Sequence, residues 1–189
     1  MAEAPRRAPL VVGIVGAEST GKTALARALA DHLAQTTGLA AAWVPEYLRG
    51  WCEAEGRTPR RDEQRAIARR QTALIEAAAP GHDVVVCDTT ALMTAVYSHT
   101  VFGDDSLDAE ALALHARGCG LTLVTALDLP WIADGFVRSG PHVREPVDDR
   151  LRLLLAQGGI AYSVVHGQGP ARLQAALGVL RPRLPAAVS

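Results

Sequence analysis

The chain has 189 residues, 49% of them hydrophobic and 21% charged, and its formal net charge at pH 7 is −1. This balance is typical of one globular domain with its own core and argues against a disordered chain. The small net charge provides no basic field for nucleic acid or an anionic membrane, so we expect neither as a partner. The three cysteines form no Cys-x-x-Cys pair, which indicates reduced thiols and argues against a disulfide framework or a zinc site.

Residues 1–8 are predicted to be a flexible tail, followed by a single domain over residues 9–185. The first apolar run ends at Glu18 without a small-residue cleavage site, so it does not match a signal peptide. No stretch contains the roughly eighteen consecutive apolar residues that a membrane-spanning helix requires. We therefore expect a soluble protein of the cytoplasm.

Taken in chain order, short apolar runs alternate with amphipathic stretches, and these patterns predict strands and helices respectively. The predicted strands lie at 10–15, 40–45, 83–88, 121–128 and 160–166, and the predicted helices at 22–37, 58–79, 89–101, 108–117, 146–157 and 170–181. Thr58 is the expected N-cap of the second helix, with Pro59 in its first turn. The alternation predicts an α/β fold with a parallel sheet and helices on both faces, because parallel strands need crossover connections. Ligands of such sheets bind beyond the carboxyl ends of the strands.

The sequence GAESTGKT at 16–23 matches the phosphate-loop pattern G-x-x-x-x-G-K-[ST] and lies between the first predicted strand and helix. Its glycines allow backbone N–H groups to turn toward a phosphate, and the helix N-terminus adds its dipole. Lys22 is the only lysine among 19 Lys and Arg residues, which indicates a site where the planar guanidinium does not fit. We predict that ATP is bound by Gly16, Glu18, Ser19, Thr20, Gly21, Lys22, Thr23 and Ala24.

Two further stretches end predicted strands with polar residues. DVVVCD ends in Asp88, which is expected to hold Mg²⁺ together with Thr23; the alternative is that Asp88 caps the following helix. In WVPEYLRG, Glu46 could accept a proton, Tyr47 could stack on a ring and Arg49 could bind phosphate. The alternative for this second stretch is the solvated start of a helix.

The long segment 127–145 is rich in Gly, Pro, Trp and Arg and is predicted to be a functional loop over the phosphate site. Trp131 and Asp134 are candidate substrate contacts, and Arg138 and Arg144 are candidates for neutralising charge in a transition state. An ordinary surface loop is the alternative. Tyr97, in the helix predicted at 89–101, is a further candidate substrate contact.

Four stretches together resemble the ribosylnicotinamide kinase domain of the NadR-like P-loop family: GAESTGKT, PEYLR, CDTTALMTAVYSHTVFG and DLPWIADGFVR. The resemblance implies a P-loop NTPase fold with a five-stranded parallel sheet in the order 2-3-1-4-5, and an ATP- and Mg²⁺-dependent kinase. It also implies substrate contacts from Glu46, Tyr47 and Asp88 and phosphate contacts from the arginines of a lid, although the chain has one extra residue before Arg138. NadR itself also carries a DNA-binding segment and an adenylyltransferase domain. A chain of 189 residues has no room for them, so we do not expect those activities.

The reaction implied by the resemblance is transfer of the γ-phosphoryl group of ATP to the ribose 5′-hydroxyl of nicotinamide riboside. Lys22 would hold the donor phosphates, and Glu46 or Asp88 would accept the proton. A kinase of another nucleoside or metabolite and a P-loop ATPase that acts as a regulatory module remain as alternatives. A GTPase is disfavoured because TALD at 125–128 has Ala126 where guanine-specific proteins have lysine. The sequence leaves the acceptor, the oligomeric state and the choice of base open.

Overall fold

The computed structural model describes residues 8–132 and 140–185, and within these ranges the chain forms one parallel sheet. Its strands are Leu10–Val15 (β1), Ala41–Val44 (β2), Val84–Asp88 (β3), Leu121–Thr125 (β4) and Ser163–Val165 (β5). Their order is β2-β3-β1-β4-β5, and every neighbouring pair is parallel. The α/β fold and the strand order implied by the resemblance are therefore confirmed.

The helices of the described residues provide the crossovers between these strands. They are Lys22–Thr36 (α1), Tyr47–Glu55 (α2), Gln64–Ala78 (α3), Ala91–Phe102 (α4), Asp108–Gly118 (α5), Arg144–Gln157 (α6) and Gly169–Leu180 (α7), with short 3₁₀ turns at Arg61–Glu63, Pro141–Val143 and Arg181–Arg183. In these ranges no helix combines the length and the apolar character needed to cross a bilayer.

The core lies on both faces of the sheet. On one face, Leu29 of α1 and Leu177 of α7 pack against Val12 of β1. On the other face, Leu92 of α4 and Leu151 of α6 belong to a second cluster. Side chains along a strand alternate between the two faces, so a central strand covered on both sides must be apolar throughout. Because β3, β1 and β4 are neighbouring parallel strands, their carboxyl ends and the loops that follow them lie at one edge of the sheet.

The start of α3 differs from the prediction. Thr58 does not cap it, and the helix begins at Gln64 after the 3₁₀ turn. Glu63 accepts hydrogen bonds from the Arg57 guanidinium at 2.7 Å and from the Arg60 backbone N–H at 2.8 Å, and these bonds lower the pKa of the Glu63 carboxyl to about 2. The pairing of Arg57 with Glu63, six residues apart, thus lies directly before α3, and the local sequence pattern at Thr58 did not indicate this pairing.

Other boundaries also move. The helix α2 was weighed only as the alternative for the WVPEYLRG stretch, and the structure shows that a helix does begin there, at Tyr47. The strand β4 ends at Thr125 instead of residue 128, and α6 begins at Arg144, before Pro146. Proline is tolerated in the first turn of a helix because its missing N–H would have no partner there. The shorter β4 leaves residues 126–132 free to form part of a loop at the sheet edge.

Candidate active site

The loop between β1 and α1 contains two glycines whose geometry excludes other residues. Gly16 has a φ of 149°, and a Cβ atom there would lie 2.2 Å from Thr125 Oγ1. Gly21 has a φ of 75°, and its Cβ would lie 3.1 Å from a methyl group of Leu129. Positive φ values are unfavourable for residues that carry a Cβ. A Cβ at Gly16 would also clash with Thr125, and one at Gly21 would require a small shift of Leu129. The spacing of the two glycines in the phosphate-loop pattern is therefore required by the fold.

Short hydrogen bonds hold the loop in shape. The Thr20 hydroxyl donates to the Ala17 carbonyl at 2.7 Å and lies 2.7 Å from the Thr125 hydroxyl. The Lys22 ammonium donates to the same Ala17 carbonyl at 2.9 Å. The Ser19 hydroxyl donates to the Ile132 carbonyl at 2.8 Å, which links the loop to the segment after β4. The loop is thus braced by both its own backbone and the neighbouring strand.

Thr23 and Asp88 meet at the ends of neighbouring elements. The Thr23 hydroxyl donates to Asp88 Oδ2 at 2.6 Å, and Asp88 is only 1% exposed. The other carboxylate oxygen, Oδ1, is buried and accepts no hydrogen bond from the described residues. A hydroxyl beside a carboxylate with a buried acceptor to spare is the donor set that Mg²⁺ uses at a phosphate loop, so these residues fit the ion.

The alternative role for Asp88, as the cap of the next helix, is wrong. Thr90 is the N-cap of α4, and its hydroxyl accepts a hydrogen bond from the Leu92 N–H at 3.4 Å. Among the described residues no group of three or more His, Cys, Asp or Glu side chains could hold a metal ion by itself. A divalent ion at Thr23 and Asp88 would therefore need oxygens from a bound nucleotide as well.

Two cavities flank this pair. The phosphate-loop cavity has a volume of about 640 Å³ and is lined by Ser19, Thr20, Gly21, Lys22, Thr23, Ala24, Arg27, Glu46, Arg49, Leu129, Pro130, Ile132 and Gln168. The α2 cavity has a volume of about 550 Å³ and is lined by Thr23, Arg27, Trp43, Pro45, Glu46, Tyr47, Arg49, Gly50, Trp51, Glu53, Ala54, Glu55, Leu74 and Asp88. The two cavities share four residues: Thr23, Arg27, Glu46 and Arg49. They therefore adjoin one another.

The walls of the α2 cavity are aromatic and acidic. Its lining includes three aromatic side chains, four carboxylates and two guanidinium groups, namely Trp43, Tyr47, Trp51, Glu46, Glu53, Glu55, Asp88, Arg27 and Arg49. The Arg27 guanidinium lies 4.3 Å from the centre of the Trp43 ring, and Arg49 Nε lies 3.8 Å from Glu46 Oε2. Both arginines are held in the shared wall by these contacts. The cavity can receive a flat ring, and its formal charge favours a cationic one.

The structure brings most of the predicted residues together but not all of them. Glu46, Tyr47, Arg49 and Asp88 line the α2 cavity together with Thr23. Glu18 is buried behind the loop, and its Oε2 atom has no hydrogen-bond partner among the described residues.

Five predicted residues of other segments lie outside the two cavity linings or beyond the described ranges. Tyr97 packs against the hydrophobic cluster of α4 and α6. Arg144 is buried at the start of α6, where its Nη1 donates to the Leu129 carbonyl at 2.8 Å, so among the described residues it lines neither cavity. Trp131 is half-buried between two residues that line the phosphate-loop cavity. The predictions for Asp134 and Arg138 concern positions outside the described residues.

Sequence reasoning missed several residues of the two walls. Arg27 lies four positions after Thr23 on α1 and Trp51 four positions after Tyr47 on α2, so helical spacing places each pair on one face. Trp51 was missed because the helix at this stretch was only the alternative, and its residues after Gly50 were not considered. Arg172 was missed as well, since nothing in its local sequence points toward the phosphate loop.

Comparison with known proteins places this chain in a family. A family model described as an AAA domain matches residues 11–172. No curated protein matches the chain. Two solved NadR structures superpose on it: one in complex with NAD and AMP-PNP, with a TM-score of 0.72 and 24% identity, and one in complex with NR, with a TM-score of 0.75 and 22% identity. They align with 96% of this chain but with only 50% and 52% of their own, so the chain spans about half the length of NadR.

A thymidylate kinase from Ehrlichia chaffeensis has the same fold over nearly its whole length. The TM-score is 0.67 at 13% identity, covering 93% of this chain and 99% of the kinase. At such identities the likeness establishes the fold, and the resemblance to the NadR-like family is confirmed at that level. The family model spans most of the chain, and the protein therefore belongs to the family of AAA domains, built on the P-loop fold.

Proposed function

We propose that this protein is an ATP-dependent kinase that transfers the γ-phosphoryl group of ATP to a hydroxyl of a small-molecule acceptor. One observation carries the proposal: the phosphate-loop cavity and the α2 cavity adjoin at Thr23, Arg27, Glu46 and Arg49. A kinase needs two ligands whose reacting atoms meet, whereas a regulatory ATPase needs only the nucleotide and a water molecule. The second cavity therefore favours the kinase over the regulatory module.

On the donor side, the backbone N–H groups of the loop and the Lys22 ammonium would bind the phosphates of ATP. Lys22 now donates to the Ala17 carbonyl at 2.9 Å, and it would exchange that weak neutral acceptor for phosphate oxygens. Mg²⁺, when bound, supplies positive charge that neutralises the donor phosphates. The residues that would hold it are Thr23 and Asp88.

On the acceptor side, we assign the role of base to Glu46 instead of Asp88. Asp88 already accepts the Thr23 hydroxyl through one oxygen and is 1% exposed, which suits a metal-holding carboxylate. Glu46 lies in the wall shared by both cavities, where the acceptor hydroxyl must meet the γ-phosphate. Arg27 and Arg49 in the same wall would bind the transferred group, whose charge is spread over three oxygens.

Nicotinamide riboside is the acceptor that we propose. Its pyridinium ring is flat and positively charged, which matches an α2 cavity with three aromatic side chains and more carboxylates than guanidinium groups. One of the NadR structures that share this fold holds NR. The ring would pack against the aromatic side chains of the α2 cavity, where Arg27 already covers one face of Trp43 and Arg57 one face of Trp51. The ribose 5′-hydroxyl would be directed toward Glu46.

A second candidate is a kinase whose acceptor itself carries a phosphate, such as a nucleoside monophosphate. The two guanidinium groups of Arg27 and Arg49 in the shared wall favour it, because arginine is well suited to bind phosphate. The thymidylate kinase fold likeness is compatible with either acceptor.

An acceptor screen tests these proposals. Purified protein, ATP and Mg²⁺ are incubated with nicotinamide riboside, common nucleosides and nucleoside monophosphates, and phosphorylated products are read by mass. We expect nicotinamide mononucleotide as the dominant product, and a nucleoside diphosphate product would favour the second candidate. Release of ADP without any phosphorylated acceptor would contradict the kinase and favour the regulatory ATPase. The variant Lys22→Ala, prepared in the same way, reports the activity of contaminating enzymes.

A further inference from the structure

Arg172 of α7 is almost completely buried and touches the phosphate loop from behind. Its side chain comes from the last helix of the fold, 152 positions beyond the residue it contacts, and only 3% of the residue is exposed. One guanidinium nitrogen, Nη1, donates to the backbone carbonyl of Thr20, and the other, Nη2, donates to the carboxylate of Asp128. The two terminal nitrogens of one guanidinium thus join the loop to a residue that follows β4.

Asp128 connects a third segment to this pair. Its second carboxylate oxygen accepts the backbone N–H of Gly167 at 2.7 Å, and His166 Nδ1 lies 3.7 Å from the same oxygen. The residues that follow Asp128 and Gly167, namely Leu129 and Gln168, line the phosphate-loop cavity. Asp128 and Arg172 therefore tie together three segments that meet at that cavity.

The bond to Thr20 has a geometric consequence for phosphate binding. The carbonyl of Thr20 and the N–H of Gly21 belong to one planar trans peptide unit, so they point in opposite directions. Arg172 lines neither cavity and holds the carbonyl, so the Gly21 N–H points away from Arg172. Gly21 is also the N-cap of α1, where a loop N–H and the helix dipole act on the same anion.

We propose that Arg172 is a positioning residue for the phosphate loop: it orients the peptide unit between Thr20 and Gly21, and Asp128 holds its guanidinium in the required direction. The inference rests on the proposed role of residues 16–23 in binding the donor phosphates. A buried guanidinium is costly unless it is paired, and burial lowers the pKa of Arg172 while the charge of Asp128 opposes that shift. If the pair served packing alone, its desolvation cost would bring no benefit, because an apolar side chain could fill the same space.

The test compares two arginines of similar burial. Arg172→Met removes both guanidinium hydrogen bonds, the one to the Thr20 carbonyl and the one to Asp128. Arg150→Met is the matched control, because Arg150 is 9% exposed in its side chain and pairs with Asp105 and Asp108, which line neither of the two cavities. Binding of two probes, each with Mg²⁺, is measured by calorimetry: AMP-PNP, and inorganic tripolyphosphate, which has no base or ribose. The free energy of unfolding of each variant is measured in parallel.

We expect Arg172→Met to weaken binding of both probes by on the order of tenfold to a hundredfold, the range for lost hydrogen bonds to a charged group. Arg150→Met should bind both probes as the wild type does, even where it is less stable. Arg172→Lys should be intermediate, because one ammonium cannot hold both partners in the guanidinium geometry. Asp128→Asn should weaken binding less than Arg172→Met, since the bond to Thr20 survives.

Three results would overturn the inference. The first is wild-type binding of tripolyphosphate by folded Arg172→Met. If the methionine variant does not fold, the same result with Arg172→Lys counts. Loss of AMP-PNP binding with unchanged tripolyphosphate binding would mean that Arg172 acts on the base side of the cavity instead. Equal losses in Arg150→Met and Arg172→Met would assign the effect to stability. A wild type that binds neither probe would contradict the proposed function itself, whereas the other results leave it standing.

Discussion

The phosphate-loop cavity and the α2 cavity adjoin, yet they are built in different ways. Residues 19–24 provide six consecutive members of the first lining, and hydrogen bonds from the side chains of Ser19, Thr20 and Lys22 to backbone carbonyls hold this loop in shape. The lining of the second comes from α1, β2, α2, α3 and β3, five elements spread over the chain. A phosphate can be bound by one continuous loop because its charge is compact and symmetric. A flat acceptor needs walls on several sides, and those walls come from separate elements.

This difference leads to distinct expectations for mutations on the two sides. Changes in the loop should affect every acceptor equally, because all acceptors would share the same donor. Changes in the α2 cavity should leave nucleotide binding intact and alter which acceptor is used. The predictions that follow test this division, in order of decreasing effect on turnover.

The largest effect is expected for Lys22→Ala. Loss of the only ammonium at the loop should lower kcat/KM by on the order of 10²-fold or more with every acceptor, because the charge on the transferring phosphates loses its fixed counter-charge. Steady-state rates with two different acceptors measure this. Arg117→Ala, which removes an exposed arginine paired with Glu76, should keep the wild-type rate. Near-normal turnover of Lys22→Ala would contradict the proposed mechanism.

Glu46→Gln should have the next largest effect and act on the acceptor side. We expect kcat to fall roughly 10- to 100-fold, at or below the low end for general bases, because phosphoryl transfer needs little proton removal before the transition state. Binding of AMP-PNP, measured by calorimetry, should not change. Glu53→Gln is the control, since it makes the same chemical change in the same cavity but outside the shared wall. If Glu46→Gln keeps the wild-type kcat, or if Glu53→Gln lowers kcat by as much, the assignment of the base to Glu46 is wrong.

A smaller change is expected for Trp51→Leu. Loss of one aromatic wall should raise the KM for the acceptor about fivefold, corresponding to about 1 kcal/mol of ring stacking, and leave the KM for ATP unchanged. Trp131→Leu provides the comparison, because Trp131 follows β4 and lies outside the lining of the α2 cavity. The reverse pattern, with Trp131 altering the acceptor KM and Trp51 not, would move the acceptor to the segment after β4.

The smallest effect on turnover is expected for His115 of α5, which links the start of α4 to β4 and lines neither cavity. His115 is 2% exposed, lies 3.0 Å from the Thr90 hydroxyl and 2.7 Å from the Thr122 hydroxyl, and burial lowers its pKa from 6.5 to about 4. Between these two pH values only the unfolded chain binds the proton, so acid favours unfolding. The contribution of His115 to stability is complete above pH 6.5 and is lost as the pH falls toward 4.

Urea unfolding between pH 4.5 and 7.5 measures this dependence. The free energy of unfolding should fall with acid by about 3 kcal/mol more in the wild type than in His115→Gln, the amount that a shift of this size implies. Glu63 has the same lowered pKa, about 2, in both proteins, so its own contribution, which is lost as the pH falls below 4.5, cancels in the comparison. Equal pH dependence in the two proteins would mean that His115 is not held neutral in the folded state.

The phosphate loop and Arg144 show which parts of the site the sequence could and could not predict. The GAESTGKT pattern lies between β1 and α1 as its spacing predicted, with Gly16 and Gly21 at positive φ, because such a loop is made by consecutive residues whose backbone angles depend on local chemistry. Arg144 was expected on a loop beside the phosphates, and the structure buries it at the start of α6 against the Leu129 carbonyl. Nothing within a few residues of Arg144 distinguishes a side chain directed at a ligand from one directed at a backbone carbonyl.

What the sequence determined by itself is the set of features that depend on neighbours along the chain: the strand and helix order, the phosphate loop, and the polar residues that end β2 and β3. These follow from side-chain periodicity and backbone freedom, which are local properties. The tertiary structure alone decided which side chains form the α2 cavity, where Arg144 points and how Arg172 reaches Thr20. Such contacts join residues from separate elements. The local sequence around one partner does not indicate the other, because only the packing of the folded chain brings the two together.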